Sequence, residues 1–133
     1  MKVHSLCFAL LTAAALVAGS AFAAEPEQKT QTRCGWFENP TPQNIWLIDR
    51  DGHWIIGTQG GDQIEDVWKF SPEFSDSQWV KTNGYYGYGC ACIKGVVNVA
   101  THRFISIASA RAQSLDVCRK DPTLTEPENP ALD

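Results

Sequence analysis

The chain has 133 residues, with 11 Lys and Arg against 15 Asp and Glu. A chain of this length accommodates one domain. The acidic excess lies at the two ends, because residues 33–120 carry nine basic and nine acidic side chains. A domain without net positive charge offers no basic face to a phosphate backbone, so no nucleic-acid partner is expected.

The N-terminus has the pattern of an export signal. Residues 6–17 are almost unbroken apolar, and Ala21-Phe22-Ala23 supplies the small residues of a cleavage site. The apolar run is shorter than the ~20 residues that a membrane-spanning helix needs. We therefore predict a signal peptide over residues 1–23, no stable membrane insertion after its cleavage, and a periplasmic or secreted location.

The segments on either side of the predicted domain lack an apolar pattern and are rich in acidic residues or proline. Such segments cannot bury enough surface to offset the entropy of ordering. The sequence therefore predicts a disordered linker over residues 24–32, a single β-rich domain over residues 33–120, and a disordered acidic tail over residues 121–133.

Four cysteines remain once Cys7 departs with the signal peptide: Cys34, Cys90, Cys92 and Cys118. An even number in a small exported domain predicts two disulfides. Cys90 and Cys92 would share one face of a strand, and a bridge between them would be strained, so their partners are the other two, in an order the sequence leaves open. The alternative is a zinc site, but C-A-C with two distant single cysteines does not match the usual paired C-x₂-C spacing. We predict no metal and no cofactor.

The middle of the chain is rich in strand patterns. Apolar, β-branched and aromatic runs flank Asp51-Gly52 and Asn83-Gly84, dipeptides that are typical of hairpin turns. The predicted strands cover residues 44–49, 53–58, 78–82, 85–99 and 103–108, with helical turns within 59–77 and 114–119. The sequence thus predicts a mostly β fold, a small twisted antiparallel sheet of five or six strands that is disulfide-stapled. Whether the sheet closes into a barrel stays open.

Several segments of the predicted domain occur together, and in this order, in one known family. They are Arg33-Cys34-Gly35-Trp36, Asn39-Pro40-Thr41-Pro42, Asp49-Arg50-Asp51-Gly52-His53-Trp54, Gln59-Gly60-Gly61, Trp79-Val80-Lys81-Thr82-Asn83-Gly84 and Tyr86-Gly87-Tyr88-Gly89-Cys90-Ala91-Cys92. On these residues the chain resembles the DUF4087 family, small exported bacterial domains of unknown function, over about residues 33–122. The resemblance implies a secreted, cysteine-containing domain and carries over no catalytic residues.

The sequence contains no complete set of residues for nucleophilic catalysis. Each mature cysteine has an expected disulfide partner, and no serine lies in a G-x-S-x-G turn. An acidic loop over residues 62–66 contains Asp62, Glu65 and Asp66, and paired carboxylates of this kind can hydrolyse glycosides. A cell-wall-acting enzyme that uses this loop is therefore kept as the alternative function.

Two aromatic segments are the candidate binding surfaces. The first combines Trp36 with Asn39 and Thr41 in a stretch stiffened by two prolines, and the second places tyrosines at positions 85, 86 and 88 among glycines. Tyrosines suit recognition because they offer amphipathic area at low entropic cost, although packing inside a small core explains them as well. The candidate binding residues are Trp36, Asn39, Thr41, Tyr85, Tyr86, Tyr88 and Arg111.

These features favour a non-enzymatic binding or inhibitory module over an enzyme. A small stapled β scaffold commonly functions by presenting loops to a partner. The expected partner is an envelope protein or an envelope glycan such as peptidoglycan. The sequence does not define the oligomeric state.

Overall fold

The computed structural model describes residues 28–128; residues 1–27, which comprise the predicted signal peptide and the start of the predicted linker, and residues 129–133 lie outside that range. Six strands and one short helix form the domain: β1 (Gln28–Thr41), β2 (Asn44–Asp49), β3 (Gly52–Gly57), β4 (Trp79–Asn83), β5 (Tyr86–Asn98), β6 (Arg103–Gln113) and α1 (Leu115–Arg119). Two 3-10 turns, Glu65–Val67 and Asp76–Gln78, lie between β3 and β4. Among residues 28–128, no helix is long and apolar enough to cross a membrane.

Both predicted hairpins are present. β2 and β3 pair antiparallel on either side of the turn at Asp51-Gly52, and β4 and β5 do so around Asn83-Gly84. Gly52 and Gly84 have φ angles of 127° and 61°, which glycine adopts without the steric penalty of a side chain. These turns set the register of the two hairpins, and the mostly β fold is confirmed.

The strand pairings form a ring. The sheet order is β1-β2-β3-β6-β5-β4, and β5 also pairs with β1, which brings the sheet back to its first strand. The ring is joined between β3 and β6 by a single parallel pair, Ile55 with Arg103. The sheet is therefore mixed, whereas the sequence predicted antiparallel pairing alone.

Strand β1 corrects the predicted linker. Residues 28–32, expected to be disordered, extend β1 and pair with residues 94–98 of β5. Their side chains are exposed or half-buried, so the apolar signal used to recognise a buried strand is missing. The ladder of backbone hydrogen bonds to β5 holds this end of β1.

The two faces of β1 and β5 carry different clusters. The main core lies on one face and contains Phe37, Ile45, Leu47, Trp54, Ile56, Val67, Ala91, Ile93, Val97, Phe104 and Ile107. An outer-face cluster of Trp36, Tyr88, Cys90 and Cys118 lies on the other. Period-two alternation along β1 separates Trp36 from Phe37 in this way.

The disulfides join Cys34 to Cys92 and Cys90 to Cys118. Cys34 and Cys92 are directly opposed on β1 and β5, whereas the second bridge ties α1 to the sheet. The two predicted bonds are confirmed, and the structure settles their order. The loops they close span 58 and 28 residues, which corresponds to roughly 4 kcal/mol of stabilisation each in the chain-entropy account.

A buried ion pair lies beside the weak junction between β3 and β6. The guanidinium of Arg33 is 2.6 Å from Asp49, and both side chains are almost fully buried. The same guanidinium lies 3.5 Å from the centre of the Trp54 ring, and the Trp54 indole N–H donates to Asp49 at 2.9 Å. His102, in the turn after β5, stacks on Trp54 at 4.4 Å. These side chains connect β1, β2 and β3 to the turn before β6. They lie beside the β3–β6 junction, which has a single backbone pair.

The acidic tail is also ordered in part, contrary to the prediction for residues 121–133. Leu124 packs on the outer-face cluster, and Glu126 accepts hydrogen bonds from the Tyr88 hydroxyl at 2.9 Å and from Arg119. Burial, followed by the contact with Glu126, raises the pKa of Tyr88 to about 12. The hydrogen bond from Arg119 is the main cause of the lowered pKa of Glu126. Composition does not reveal the contact with Tyr88, because Tyr88 and Glu126 are 38 residues apart in sequence.

Replacing Asp49 tests the buried ion pair. Asp49→Ala leaves the Arg33 guanidinium buried without its main partner and removes the acceptor of the Trp54 indole N–H. We expect a loss of about 3–5 kcal/mol in the free energy of unfolding, measured by urea denaturation of the oxidised protein. Asp51→Ala is the matched control, since Asp51 contacts the same guanidinium at 3.0 Å but is half exposed. Its expected loss is about 0–1 kcal/mol, and equal losses would contradict the assignment.

Acid titration tests the contact of the tail. Because folding lowers the pKa of Glu126, its stabilising effect is complete above the unfolded pKa of about 4.3 and is lost as pH falls through the lower folded value. At neutral pH, Glu126→Gln should reduce stability by about 1 kcal/mol or less, as for a partly exposed pair. The difference from the native protein should shrink below pH ~4. Glu128→Gln, at an exposed position in the same tail, is the matched control and should leave the free energy of unfolding at neutral pH unchanged.

Candidate functional site

An apolar groove opens beside the end of β1, between that strand and the loop that leads to β4. It has a volume of about 340 Å³ and is lined by Phe37, Asn39, Trp68, Ser71, Pro72, Phe74 and Trp79. This volume is at the lower end of the range for ligand pockets, which are mostly apolar with a few polar groups. We refer to it as the aromatic groove.

Aromatic packing forms the wall of the aromatic groove. Phe74 lies 4.8 Å from Trp79 and 5.7 Å from Phe37, measured between ring centres. Gly89 of β5 makes room for this arrangement, because a methyl group there would come within 2.5 Å of the Phe74 ring. The wall is thus set by tertiary contacts between β1, the loop and β4.

Trp68 is the exposed aromatic at this groove. It directly follows the 3-10 turn Glu65–Val67, and 67% of its surface is accessible. Val67, the preceding residue, is fully buried in the main core and anchors the turn. An exposed indole on an anchored turn is available to a partner at little entropic cost.

The polar side chains of the aromatic groove are already hydrogen-bonded to the protein. The Ser71 hydroxyl donates to the Val67 carbonyl oxygen. With its amide oriented so that the nitrogen donates, Asn39 bonds the carbonyl oxygens of Thr41 at 2.8 Å and Asn44 at 3.2 Å. The Trp79 indole N–H donates to the Tyr85 carbonyl oxygen at 3.1 Å. These donors are therefore not free for a ligand.

Two of the predicted binding residues lie at or near the aromatic groove. Asn39 lines it directly, and Tyr85 is joined to it through the hydrogen bond from Trp79. Tyr85 is 88% exposed in the turn between β4 and β5, with the Lys81 ammonium 5.7 Å from its ring centre. The predicted aromatic segments therefore meet at one end of the sheet, although only these residues of each reach it.

Trp36 and Tyr88 require a correction. Both are buried in the outer-face cluster, at 0% and 4% exposure, with their rings edge to face at 5.4 Å. Cys118 of α1, together with Leu115 and Leu124, covers them. They hold the helix and tail against the sheet, as the packing alternative for the tyrosines stated in the case of Tyr88, and no partner can contact them directly.

The remaining predicted residues belong neither to the outer-face cluster nor to the lining of the aromatic groove. Thr41 accepts a hydrogen bond from the Asn44 amide in the β1–β2 turn, and Tyr86 is half-buried at the start of β5. Arg111 is exposed on β6, beside an open cavity of about 520 Å³ that Lys69 and Glu73 also line. The structure does not bring Arg111 together with the tyrosines.

The acidic loop lines a third cavity. Asp62, Glu65 and Asp66 border an open space of about 420 Å³ together with Arg103 and Ile105 of β6. The three carboxylates are thus brought to one cavity, as the enzyme alternative requires. Within residues 28–128, no group of three or more His, Cys, Asp or Glu side chains could hold a metal ion.

Two shifted pKa values occur on the outer face of the first three strands. Burial raises the pKa of Glu38, which is opposite Trp46 in the β1–β2 ladder. Burial also lowers the pKa of His53, whose ring lies 4.9 Å from the Trp46 ring. A hydrogen bond with the Trp46 side chain lowers the pKa of Glu38 and partly offsets the effect of burial. Burial is the largest cause in both groups, so packing explains the two shifts.

The comparisons with known proteins settle the family. The family described as "Protein of unknown function (DUF4087)" matches residues 28–125, which is most of the chain. The chain belongs to the DUF4087 family. The matched range contains every strand, both disulfides and the aromatic groove. No curated protein and no solved structure matches the chain.

Between β3 and the start of β4, sequence reasoning missed the lining residues Trp68, Ser71, Pro72, Phe74 and Trp79. All but Trp79 belong to the loop before β4, which shows no clear period. The sequence signal was a high density of aromatic residues in a predicted loop. That signal does not distinguish an exposed indole such as Trp68 from a wall residue such as Phe74.

Proposed function

We propose that this DUF4087 protein is a non-enzymatic binding module that binds a partner protein through the aromatic groove. The observation that carries the proposal is the exposed indole of Trp68 beside an apolar groove. Tryptophan and tyrosine are the side chains most enriched among residues that dominate binding energy at protein interfaces. An apolar or aromatic side chain of the partner fits the volume of about 340 Å³.

The hydrogen bonding of the aromatic groove favours a protein over an envelope glycan. A sugar carries many hydroxyls, and burying them without hydrogen-bond partners is costly. The donors of Asn39, Ser71 and Trp79 are already committed to backbone carbonyl oxygens. An apolar protein side chain needs none of them.

The scaffold supports this role because the groove needs little ordering on binding. Two disulfides and the long β1–β5 ladder fix the sheet. Ser75 and Gln78 close a capping box on the 3-10 turn that leads into β4, which fixes one end of the loop. Preorganised binding surfaces lose less entropy when the complex forms.

We place this activity in the periplasm or outside the cell. The signal pattern over residues 1–23 supports export. Two disulfides are consistent with an extracellular or otherwise oxidising compartment. An envelope protein is therefore the expected partner.

Substitution of Trp68 tests the groove. Oxidised protein is used to capture partners from solubilised envelope, and the captured protein is then purified for affinity measurements. Trp68→Ala should weaken binding at least about thirtyfold, corresponding to the ~2 kcal/mol that defines a dominant interface residue. Folding of the variant is checked by circular dichroism and by intact disulfides.

Val99→Ala is the matched control. Val99 is also an exposed apolar side chain, but it follows Asn98, at the opposite end of the β1–β5 ladder from Asn39. Its affinity should equal that of the native protein. If the Trp68→Ala variant binds the captured partner with native affinity, the proposal is contradicted. If the protein is retained on purified peptidoglycan and this retention requires Trp68, the partner is a glycan and not a protein.

An enzyme remains the second candidate, because Asp62, Glu65 and Asp66 line one cavity. The test is release of soluble fragments from peptidoglycan by the native protein and by the triple variant Asp62→Asn, Glu65→Gln, Asp66→Asn. Turnover that the triple variant loses would support catalysis by the acidic loop. A binding module shows no turnover, and its triple variant keeps the partner.

A further inference from the structure

The two disulfides differ in their access to solvent. Cys90 and Cys118 are buried in the outer-face cluster, at 1% and 2% exposure. Cys34 is exposed and Cys92 is half-buried, although Cys92 lies on the same face of β5 as Cys90. The difference arises because Cys118 and Leu115 of α1 and Leu124 of the tail pack in the cluster that buries Cys90, and Cys34 is not part of that cluster.

Cys34 opens into a cavity of about 260 Å³. The charged groups that line it are Arg33, Arg50, Asp49, Asp51 and Asp121, which gives a net formal charge of −1. Asp49 and Asp51 both contact the guanidinium of Arg33, and Arg50 lies 3.9 Å from Asp51. Because these pairs offset most of the charge, exposure is the main difference between the two bonds for an incoming thiolate.

The two bonds also differ in what they hold. β1 and β5 pair at twelve consecutive positions, from Gln28 with Asn98 to Asn39 with Gly87. The Cys34–Cys92 bond lies in the middle of this ladder, so the strands keep their register without it. Cys90–Cys118, in contrast, is the covalent tie between α1 and the sheet.

We propose that Cys34–Cys92 is a thiol–disulfide exchange site, reversibly opened by small thiols or by a dithiol protein, while Cys90–Cys118 remains a structural bond. The incoming thiolate attacks the Sγ of Cys34, the more exposed residue of the pair, and a mixed disulfide forms there. The bond between the two sulfurs breaks, and Cys92 leaves as a thiolate that takes up a proton. A second thiol of the reductant then releases Cys34 as a thiol, so two electrons pass to the protein and the reductant becomes a disulfide. This proposal is independent of the aromatic groove.

Graded reduction with dithiothreitol tests the proposal. Oxidised protein is treated for increasing times, free thiols are blocked with one alkylating reagent, and the remaining bonds are then reduced and blocked with an isotopically heavy form. Mass spectrometry of the peptides gives the reduction rate of each bond. We expect Cys34 and Cys92 to be labelled together at least about tenfold faster than Cys90 and Cys118, with circular dichroism unchanged at that stage, since buried cysteines are the inert ones. Equal rates, or earlier labelling of Cys90 and Cys118, would overturn the proposal.

Single variants identify the sulfur that is attacked. Cys92→Ser leaves the exposed Cys34 free, and Cys34→Ser leaves the half-buried Cys92 free. With glutathione disulfide, the first variant should form its mixed disulfide several times faster than the second, as followed by intact mass. The reverse order would contradict attack at Cys34.

The double variant Cys34→Ser, Cys92→Ser separates exchange from stability. It should stay folded, and its remaining Cys90–Cys118 bond should be reduced as slowly as in the native protein. Loss of the native circular dichroism spectrum in this variant would show that the bond is structural, and would overturn the proposal.

Discussion

Side-chain packing, more than a backbone ladder, connects β3 to β6. Only one pair of residues joins these strands, and the Ile55 amide donates to the His102 carbonyl oxygen at 2.9 Å beside it. Trp54 contacts both His102 and Arg33, and Asp49 neutralises the guanidinium of Arg33. A buried charge is tolerated only when it is paired, so the ring of strands depends on this ion pair being complete.

β5 connects the largest number of elements in the ring of strands. It pairs with β1 along one edge and with β6 and β4 along the other, and it supplies one cysteine to each disulfide. Ala91 and Ile93 on one face belong to the main core, whereas Cys90 on the other belongs to the outer-face cluster. Since α1 covers only part of that outer face, the same strand carries one buried bond and one accessible bond. Packing of the five-residue helix on Cys90 thus distinguishes the surroundings of the two bonds.

The aromatic groove forms where the loop between β3 and β4 returns to the sheet. Val67 and Phe74 pack on the domain, and Trp68 between them turns outwards. The groove's polar side chains stabilise the loop and the β1–β2 turn, which leaves an apolar surface with few free donors. Under the proposed function, stability of the loop and selectivity for an apolar anchor come from the same hydrogen bonds.

Local patterns in the sequence determined the strands flanking Asp51-Gly52 and Asn83-Gly84, because a hairpin is encoded by a turn dipeptide between two strand-forming runs. They also determined that two disulfides form and that Cys90 and Cys92 do not join each other. Tertiary structure alone decided the order of those bonds, the first residues of β1, and the contact of Glu126 with Tyr88, since each depends on residues far apart in the chain. It also decided which aromatic side chains face outwards: the adjacent Trp36 and Phe37 lie on opposite faces of one strand and are both buried, while Trp68 is exposed. Burial depends on what packs against a residue, and that partner is set by the closed fold as a whole.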